Sequence, residues 1–167
     1  IPNEIVDLIM DYEAKHWGCW LGIIGNRKHI VVFLAHGQGY AFIQNDRIDE
    51  FLMLYYGLIA HGYTRGTWSA FECVDLDRDR AEHTPYAGPA QLVVAPLTKW
   101  MLVFDDVKDD RLWLAKATPR EWLENGRRIA VTDAPTRFGT VTFELESHID
   151  DGYVAGAVTL VPNPVST

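Results

Sequence analysis

The chain has 167 residues, of which 48% are hydrophobic, and its formal net charge at pH 7 is −8. This length and apolar content are enough for one medium domain or two small packed units with a hydrophobic core. The acidic balance argues against a nucleic-acid partner, whose phosphates need clustered Lys and Arg, and no apolar run reaches the roughly 18 to 20 residues of a membrane span.

The two cysteines, Cys19 and Cys73, lie in different segments and have no His pair nearby at metal-ligand spacing. We therefore expect buried thiols, although a disulfide between them stays open, and we expect no metal and no cofactor. The sequence starts at Ile1 without an initiator Met and stops inside a β pattern, so we expect a piece of a longer protein. Localisation stays unknown for the same reason.

The first half of the sequence predicts helices. Apolar residues at helical spacing indicate a first helix over residues 3–20, with Asn3 as N-cap. Residues 28–35 are apolar and β-branched, which leaves their type open. We expect residues 36–39 (HGQG), where His36 closes a helix, to interrupt that segment. A third helix follows from a cap at residue 45 or 46 to Gly62, which we expect in the left-handed conformation.

Residues 69–89 are polar and carry the charge run DLDRDRAEH at 75–83, which predicts a long irregular loop. Such a loop inside a compact domain is usually functional or disordered. Apolar helical spacing returns over residues 90–104, where Pro96 predicts a kink. We expect five tryptophans on apolar patterns to lie in the core, namely Trp17, Trp20, Trp100, Trp113 and Trp122.

Composition changes after the charged connection at residues 105–111. Residues 112–115, 128–132, 138–146 and 153–161 alternate or are β-branched, which predicts strands with Val141, Phe143 and Leu145 on one face. A helical turn at residues 119–123 and turn signals at residues 125–126 and 150–152 separate them. The order predicts an α+β protein, with helical hairpins over residues 1–104 and an antiparallel β region over residues 110–167.

The segment YYGLIAHGYTRGTWSAFE, residues 55–72, carries side chains that a plain structural loop rarely needs. His61, Tyr63, Arg65 and Trp68 can donate hydrogen bonds to sugar hydroxyls or stack on sugar rings, and Tyr86 is a further ring of this kind. We therefore predict a substrate-binding role for these five residues. The alternative for His61 and Arg65 is that they complement the dipole at the helix C-terminus.

This segment and two later motifs, TPREWL at 118–123 and APTRFG at 134–139, together resemble a known family. They are similar to bacterial glycoside hydrolases in which an (α/α)6 toroid precedes a β-sandwich. The resemblance covers residues 38–161 and implies the last helical hairpins of an incomplete toroid, followed by a truncated β-sandwich portion. The sequence departs from the family because it has too few helices to close a toroid.

The resemblance implies hydrolysis of a glycosidic bond by a pair of carboxylic groups, with the site in residues 61–86 and a carbohydrate as substrate. Glu72 is the candidate catalytic acid, because apolar neighbours favour the neutral form of a carboxylic acid. Asp75, Asp77 and Asp79 could supply the second carboxylate. Their spacing also resembles that of a calcium loop, but Arg80 and Tyr86 occupy the positions where such a loop needs Gly and Glu. A solvated charge run is therefore the preferred interpretation of these three residues.

The alternative function is a non-catalytic module that binds carbohydrate or another protein. A second carboxylate facing Glu72 across a cleft would favour hydrolysis, whereas a lone Glu72 on an open surface would favour binding. An incomplete helical region exposes apolar surface, so we also expect self-association through the first two helices.

Overall fold

The computed structural model of the chain describes residues 2–16, 18–26, 29–75 and 80–164, and its helices and antiparallel strands confirm the predicted α+β class. Trp17, Asp77 and Asp79 lie outside the described residues. The chain divides into two compact units, Ile1–Thr98 and Lys99–Thr167. Each unit contains its own antiparallel β-sheet or sheets.

The N-terminal unit begins with helix α1, Asn3–His16, which contributes no described residue to the core. Its apolar side chains Ile5, Leu8, Ile9 and Tyr12 are 47–69% exposed. The helix ends before Gly18, which has a positive φ, so the predicted extension to residue 20 is wrong. Self-association through this apolar face stays a prediction.

Helices α2, Ala35–Gln44, and α3, Ile48–His61, form a hairpin that carries much of the core of this unit. The predicted interruption at residues 36–39 is wrong, because these residues lie within α2 and His36 is in its first turn. Gly39 faces the core, where an added side chain would collide with Leu97. Close packing thus places a glycine inside this helix, against its intrinsic helix propensity.

Predicted helix ends differ from the structure at two further places. Gly62 has φ −80°, an ordinary right-handed value, so the expected left-handed cap is wrong. Helix α4 is the short segment Gly88–Gln91, and helix α5 runs over Val94–Leu102. Pro96 therefore lies in the first turn of α5, where a proline is tolerated, and not at a kink within a longer helix.

A four-stranded antiparallel sheet lies in the region predicted to be helical. Its strands in spatial order are β1 Gly25–Asn26, β2 His29–Val31, β3 Phe71–Asp75 and β4 Arg80–Pro85. The long loop predicted over residues 69–89 is therefore wrong. Strand β3 is fixed by pairing with β2, about forty residues earlier in the chain, which no local pattern reveals.

The C-terminal unit contains a two-stranded and a three-stranded sheet, both antiparallel. The first pairs β5 Val103–Asp106 with β6 Arg111–Leu114, and the second orders β7 Arg128–Thr136, β8 Gly139–His148 and β9 Tyr153–Pro162. Val103, Ile129, Ala134, Val141 and Phe143 form its buried core. The strands and turns predicted after residue 111 are confirmed here, with Gly126 and Gly152 at positive φ in two of the turns. The helix predicted to residue 104 and the connection predicted from residue 105 are wrong where β5 lies.

The described helices form no recognisable toroid. The two sheets of the C-terminal unit share one core. That they form part of a β-sandwich stays a prediction.

Candidate functional site

A cavity of about 890 Å³ opens in the N-terminal unit, beside the end of α3 and the sheet. We call it the Asp75 cavity. It brings together three of the predicted substrate-binding residues, and it is lined by Trp20, Leu21, Ala60, His61, Tyr63, Arg65, Val74 and Asp75. A volume of this size lies within the range of small-molecule binding sites.

Asp75 is the buried polar group of this cavity. It is the last residue of β3 and only 4% exposed. Its partner in the sheet register is His29 of β2, and the His29 Nε2 atom lies 3.8 Å from Asp75 Oδ2. A buried carboxylate needs such polar neighbours, because its desolvation is costly. The preferred interpretation of Asp75 as part of a solvated charge run is therefore wrong.

Trp20 and Leu21 line the cavity from the segment between α1 and β1. Backbone hydrogen bonds between Trp20 and Ile23, 3.0 and 2.8 Å long, close a tight turn, and Leu21 has φ +52°. Trp20 is 43% exposed, so the expectation that it lies in the core is wrong. Its turn packs against Gly57 of α3, where an added Cβ would lie 2.8 Å from the carbonyl oxygen of Leu21.

Two exposed basic side chains, the imidazole of His61 and the guanidinium of Arg65, line the cavity. His61 is the last residue of α3, and Arg65 lies in the turn that follows. Within the described residues Arg65 forms no ion pair. Both side chains can therefore donate hydrogen bonds to a ligand that enters the cavity.

Tyr63 contributes its ring, while its hydroxyl donates a 2.9 Å hydrogen bond to the carbonyl oxygen of Ala90. Burial raises the pKa of Tyr63. The ring lies 5.9 Å from that of Trp68, at an interplanar angle of 51°. The Gln91 side chain fixes this turn, since its Nε2 donates to the carbonyl oxygen of Trp68 and its Oε1 accepts from the N–H of Ala70.

Glu72 and Tyr86 lie in a second cavity of about 380 Å³, which we call the Glu72 cavity. The other residues that line it are Phe33, Ala87, Gly88 and Pro89, so Glu72 is the one carboxylate among its described lining residues. Tyr86 is exposed and has φ +58°. Trp68 is 55% exposed and lines neither of these two cavities.

Five of the six predicted site residues thus divide between two cavities, and Trp68 lines neither of them. Glu72 and Asp75 are three residues apart on β3, which separates their backbones by about 10 Å, and the two side chains line different cavities. Asp75 is therefore not placed to act with Glu72 on one glycosidic bond. Trp20 was not among the predicted site residues, although the glycines at positions 18 and 22 around it indicate a turn.

No protein-family model, characterised protein or solved structure matches this chain. Among the described residues, no group of three or more His, Cys, Asp or Glu side chains could hold a metal ion. No helix in the described part of the chain has the length and apolar character needed to span a membrane.

Proposed function

We propose that the N-terminal unit binds a carbohydrate in the Asp75 cavity. The observation that carries this proposal is that one cavity combines an exposed indole, a buried carboxylate and a guanidinium, from Trp20, Asp75 and Arg65. Sugars present apolar ring faces and many hydroxyls. An indole covers the first, while a carboxylate accepts and a guanidinium donates hydrogen bonds to the second.

Titration calorimetry of the chain with a panel of neutral and acidic oligosaccharides tests this proposal. Trp20→Ala should weaken binding about tenfold, since the loss of a stacked aromatic face costs on the order of 1.4 kcal/mol. Tyr12→Ala is the control, because Tyr12 is an aromatic residue of the same unit, is 55% exposed on α1 and does not line the cavity. The absence of binding to any sugar, or an equal loss in both variants, would refute the assignment.

Asp75→Asn tests the polar half of the cavity. The amide keeps the size of the carboxylate but replaces one acceptor oxygen with a donor, so affinity for the same sugar should fall. Asp75 is buried beside His29, so its substitution can also disturb the fold, and circular dichroism provides the control for this effect. Unchanged affinity in a folded Asp75→Asn variant would exclude Asp75 from the binding site.

Hydrolysis at Glu72 is the second candidate, and it rests on the resemblance to (α/α)6 glycoside hydrolases. The observation that favours it is that Glu72 and Tyr86 line one cavity. Glu72→Gln should then lower turnover of aryl glycosides by about 10² to 10⁴-fold without loss of the fold. Turnover that is absent in the parent chain, or unchanged in Glu72→Gln, would leave binding as the function.

A further inference from the structure

A further cavity, of about 540 Å³, lies within the C-terminal unit, and the proposed function makes no use of it. We call it the Trp122 cavity. Its volume lies within the range of small-molecule binding sites. The residues that line it are Leu102, Glu121, Trp122, Glu124, Arg127, Arg128, Ile129 and Ala130. Apolar side chains and charged ones thus face the same space, as in sites that bind a molecule with an apolar body and a polar end.

A buried serine holds the loop that forms one wall of this cavity. Ser147 of β8 is 1% exposed, and its Oγ donates a 2.6 Å hydrogen bond to the carbonyl oxygen of Leu123. Its backbone N–H donates to the carbonyl oxygen of Arg127 over 2.9 Å, and its carbonyl oxygen accepts from the N–H of Gly126 over 2.7 Å. The loop that carries Glu124 and Arg127 is therefore attached to the sheet at both of its ends. A wall that is fixed in advance loses little conformational entropy when a ligand binds.

The apolar part of the lining includes an aromatic ring. Ile129 belongs to the buried core of the unit, and Leu102 and Trp122 pack against that core while they remain partly exposed. The backbone N–H of Trp122 donates to the carbonyl oxygen of Pro119 over 3.0 Å, which closes the helical turn Arg120–Leu123. An indole held in this way offers apolar area to a ligand, and its ring face attracts positive charge.

The charged side chains of the lining leave one carboxylate without an ionic partner. Arg127 pairs with Glu124 at 3.3 Å, and Arg128 contacts two glutamates of β8, the nearer at 2.7 Å. Among the described residues Glu121 forms no ion pair. Arg120 precedes it in the helical turn but does not line the cavity, and neighbouring residues on a helix do not face each other. The charge left over at the cavity is therefore negative.

We propose that the Trp122 cavity binds an alkylammonium group, which is supplied either by a free amine or by a lysine side chain of a peptide. The methylene chain covers the apolar lining, the ammonium lies at the ring face of Trp122, and its N–H groups donate to the carboxylate of Glu121. An anion would need a guanidinium without a carboxylate partner, and neither Arg127 nor Arg128 provides one. Because this cavity and the Asp75 cavity lie in different units, the proposal does not depend on sugar binding.

NMR titration of the isotope-labelled chain with n-pentylammonium, n-pentanol and pentanoate tests the charge of the ligand, since the three share one apolar chain. The amide signals of Glu121 and Arg127 report on the cavity, and so does the indole N–H signal of Trp122, which is identified by its absence from Trp122→Phe. The amine is charged at pH 7, and we expect it to bind with a Kd on the order of 1 mM. The alcohol should bind about fivefold more weakly, and the carboxylate more weakly still. Equal binding of alcohol and amine, stronger binding of pentanoate, or no binding of the amine would overturn the proposal.

Glu121→Gln tests the carboxylate. The amide keeps the size but loses the charge, so n-pentylammonium should bind about three- to fivefold more weakly while the affinity for n-pentanol stays the same. Asp150→Asn is the matched control, because it removes one negative charge from an exposed residue of the same unit that does not line the cavity. An equal loss in both variants would show that the amine responds to the general negative charge of the chain, and it would overturn the site.

A lysine with an acetylated amino end and an amidated carboxyl end distinguishes the two sources of the ammonium group. If it binds at least as tightly as n-pentylammonium and Glu121→Gln weakens both, the cavity is a site for a lysine side chain of a peptide. If only the free amine binds, the backbone of the blocked lysine does not fit and the ligand is a small amine. Both results support the ammonium site, whereas shifts confined to residues outside the lining of the Trp122 cavity would overturn it.

Discussion

The substitution Asp106→Asn tests how the hairpin of β5 and β6 is stabilised. Asp106 is a buried carboxylate, and its two oxygens accept hydrogen bonds from the turn that follows it and from β6. Its Oδ1 accepts from the N–H groups of Lys108 and Asp109 at 3.1 and 3.2 Å, and its Oδ2 accepts from Trp113 Nε1 at 3.2 Å. The side chain thus joins the turn to the next strand.

The expected loss of unfolding free energy follows from these three hydrogen bonds. The amide oxygen of an asparagine can keep the two bonds to the turn, but its NH₂ group then faces the indole N–H of Trp113, and two donors oppose each other. One hydrogen bond to a charged acceptor is lost, which costs about 1.5–3 kcal/mol. We expect the free energy of unfolding of the C-terminal unit to fall by this amount at pH 7.

The pH dependence gives a second, independent signature. Burial alone would raise the pKa of Asp106, but the hydrogen bonds from Asp109, Trp113 and Lys108, together with the positive charge of Lys116, lower the pKa below the ordinary value of 3.8. A lowered folded-state pKa contributes stability above the pKa of the unfolded state, and this contribution is lost as the pH falls through the folded-state value. The difference between Asp106→Asn and the parent should therefore shrink below about pH 4.

Urea unfolding followed through the NMR amide signals of β5 and β6 measures this difference within the C-terminal unit. Asp109→Asn is the matched control, since its exposed side chain changes while its backbone N–H still donates to Asp106. A change below about 0.5 kcal/mol in Asp106→Asn is what an ordinary surface substitution gives, and it would refute the reasoning. A difference that is constant from pH 7 to pH 3 would refute the electrostatic part alone.

Three glycine substitutions test the packing of the N-terminal unit. Gly39→Ala should destabilise it by about 1–3 kcal/mol in urea unfolding, because the new methyl group overlaps Leu97. Gly37→Ala, on the same helix but with no atom within 4 Å of the added Cβ, should instead stabilise it by about 0.5–1 kcal/mol. Gly57→Ala should displace the turn at Leu21 and weaken sugar binding measured by calorimetry, and unchanged affinity would contradict the role of this turn.

The strands after residue 111 were predictable because their signals are local, whereas β5 was not predicted. The alternation around Val141 and Phe143 indicates one buried face, and both residues are buried in the structure. Turns that need a positive φ are marked in the sequence by Gly126 and Gly152. A hairpin between neighbouring segments needs no further information than these two kinds of signal.

The N-terminal unit was less predictable because distant segments decide its structure. Strand β3 pairs with β2 across about forty residues, and the charge run after Asp75 has the composition of a loop. Within α2, Gly37 and Gly39 suggest a break, yet the helix continues because Gly39 allows close contact with Leu97. Tertiary packing therefore overrides the local propensity in both cases.

The candidate site shows the same division between local and distant information. The sequence grouped His61, Tyr63 and Arg65, and these three residues line one cavity; their role in binding stays a prediction. It did not associate them with Trp20 or select Asp75 from the acidic run, because these residues reach the cavity only through the turn before β1 and through the sheet.

The assignment of β3 as a strand also bears on the choice between hydrolysis and binding. In an irregular loop, Glu72 and Asp75 could converge on one sugar, at the separation of about 5–9.5 Å that glycoside hydrolysis requires. In the strand, their backbones are about 10 Å apart and the two residues line different cavities. Asp75 then lies with the aromatic and cationic side chains of the proposed sugar-binding cavity, while Glu72 is the one carboxylate among the described residues that line its own cavity. For this reason the Asp75 cavity supports binding more strongly than Glu72 supports catalysis.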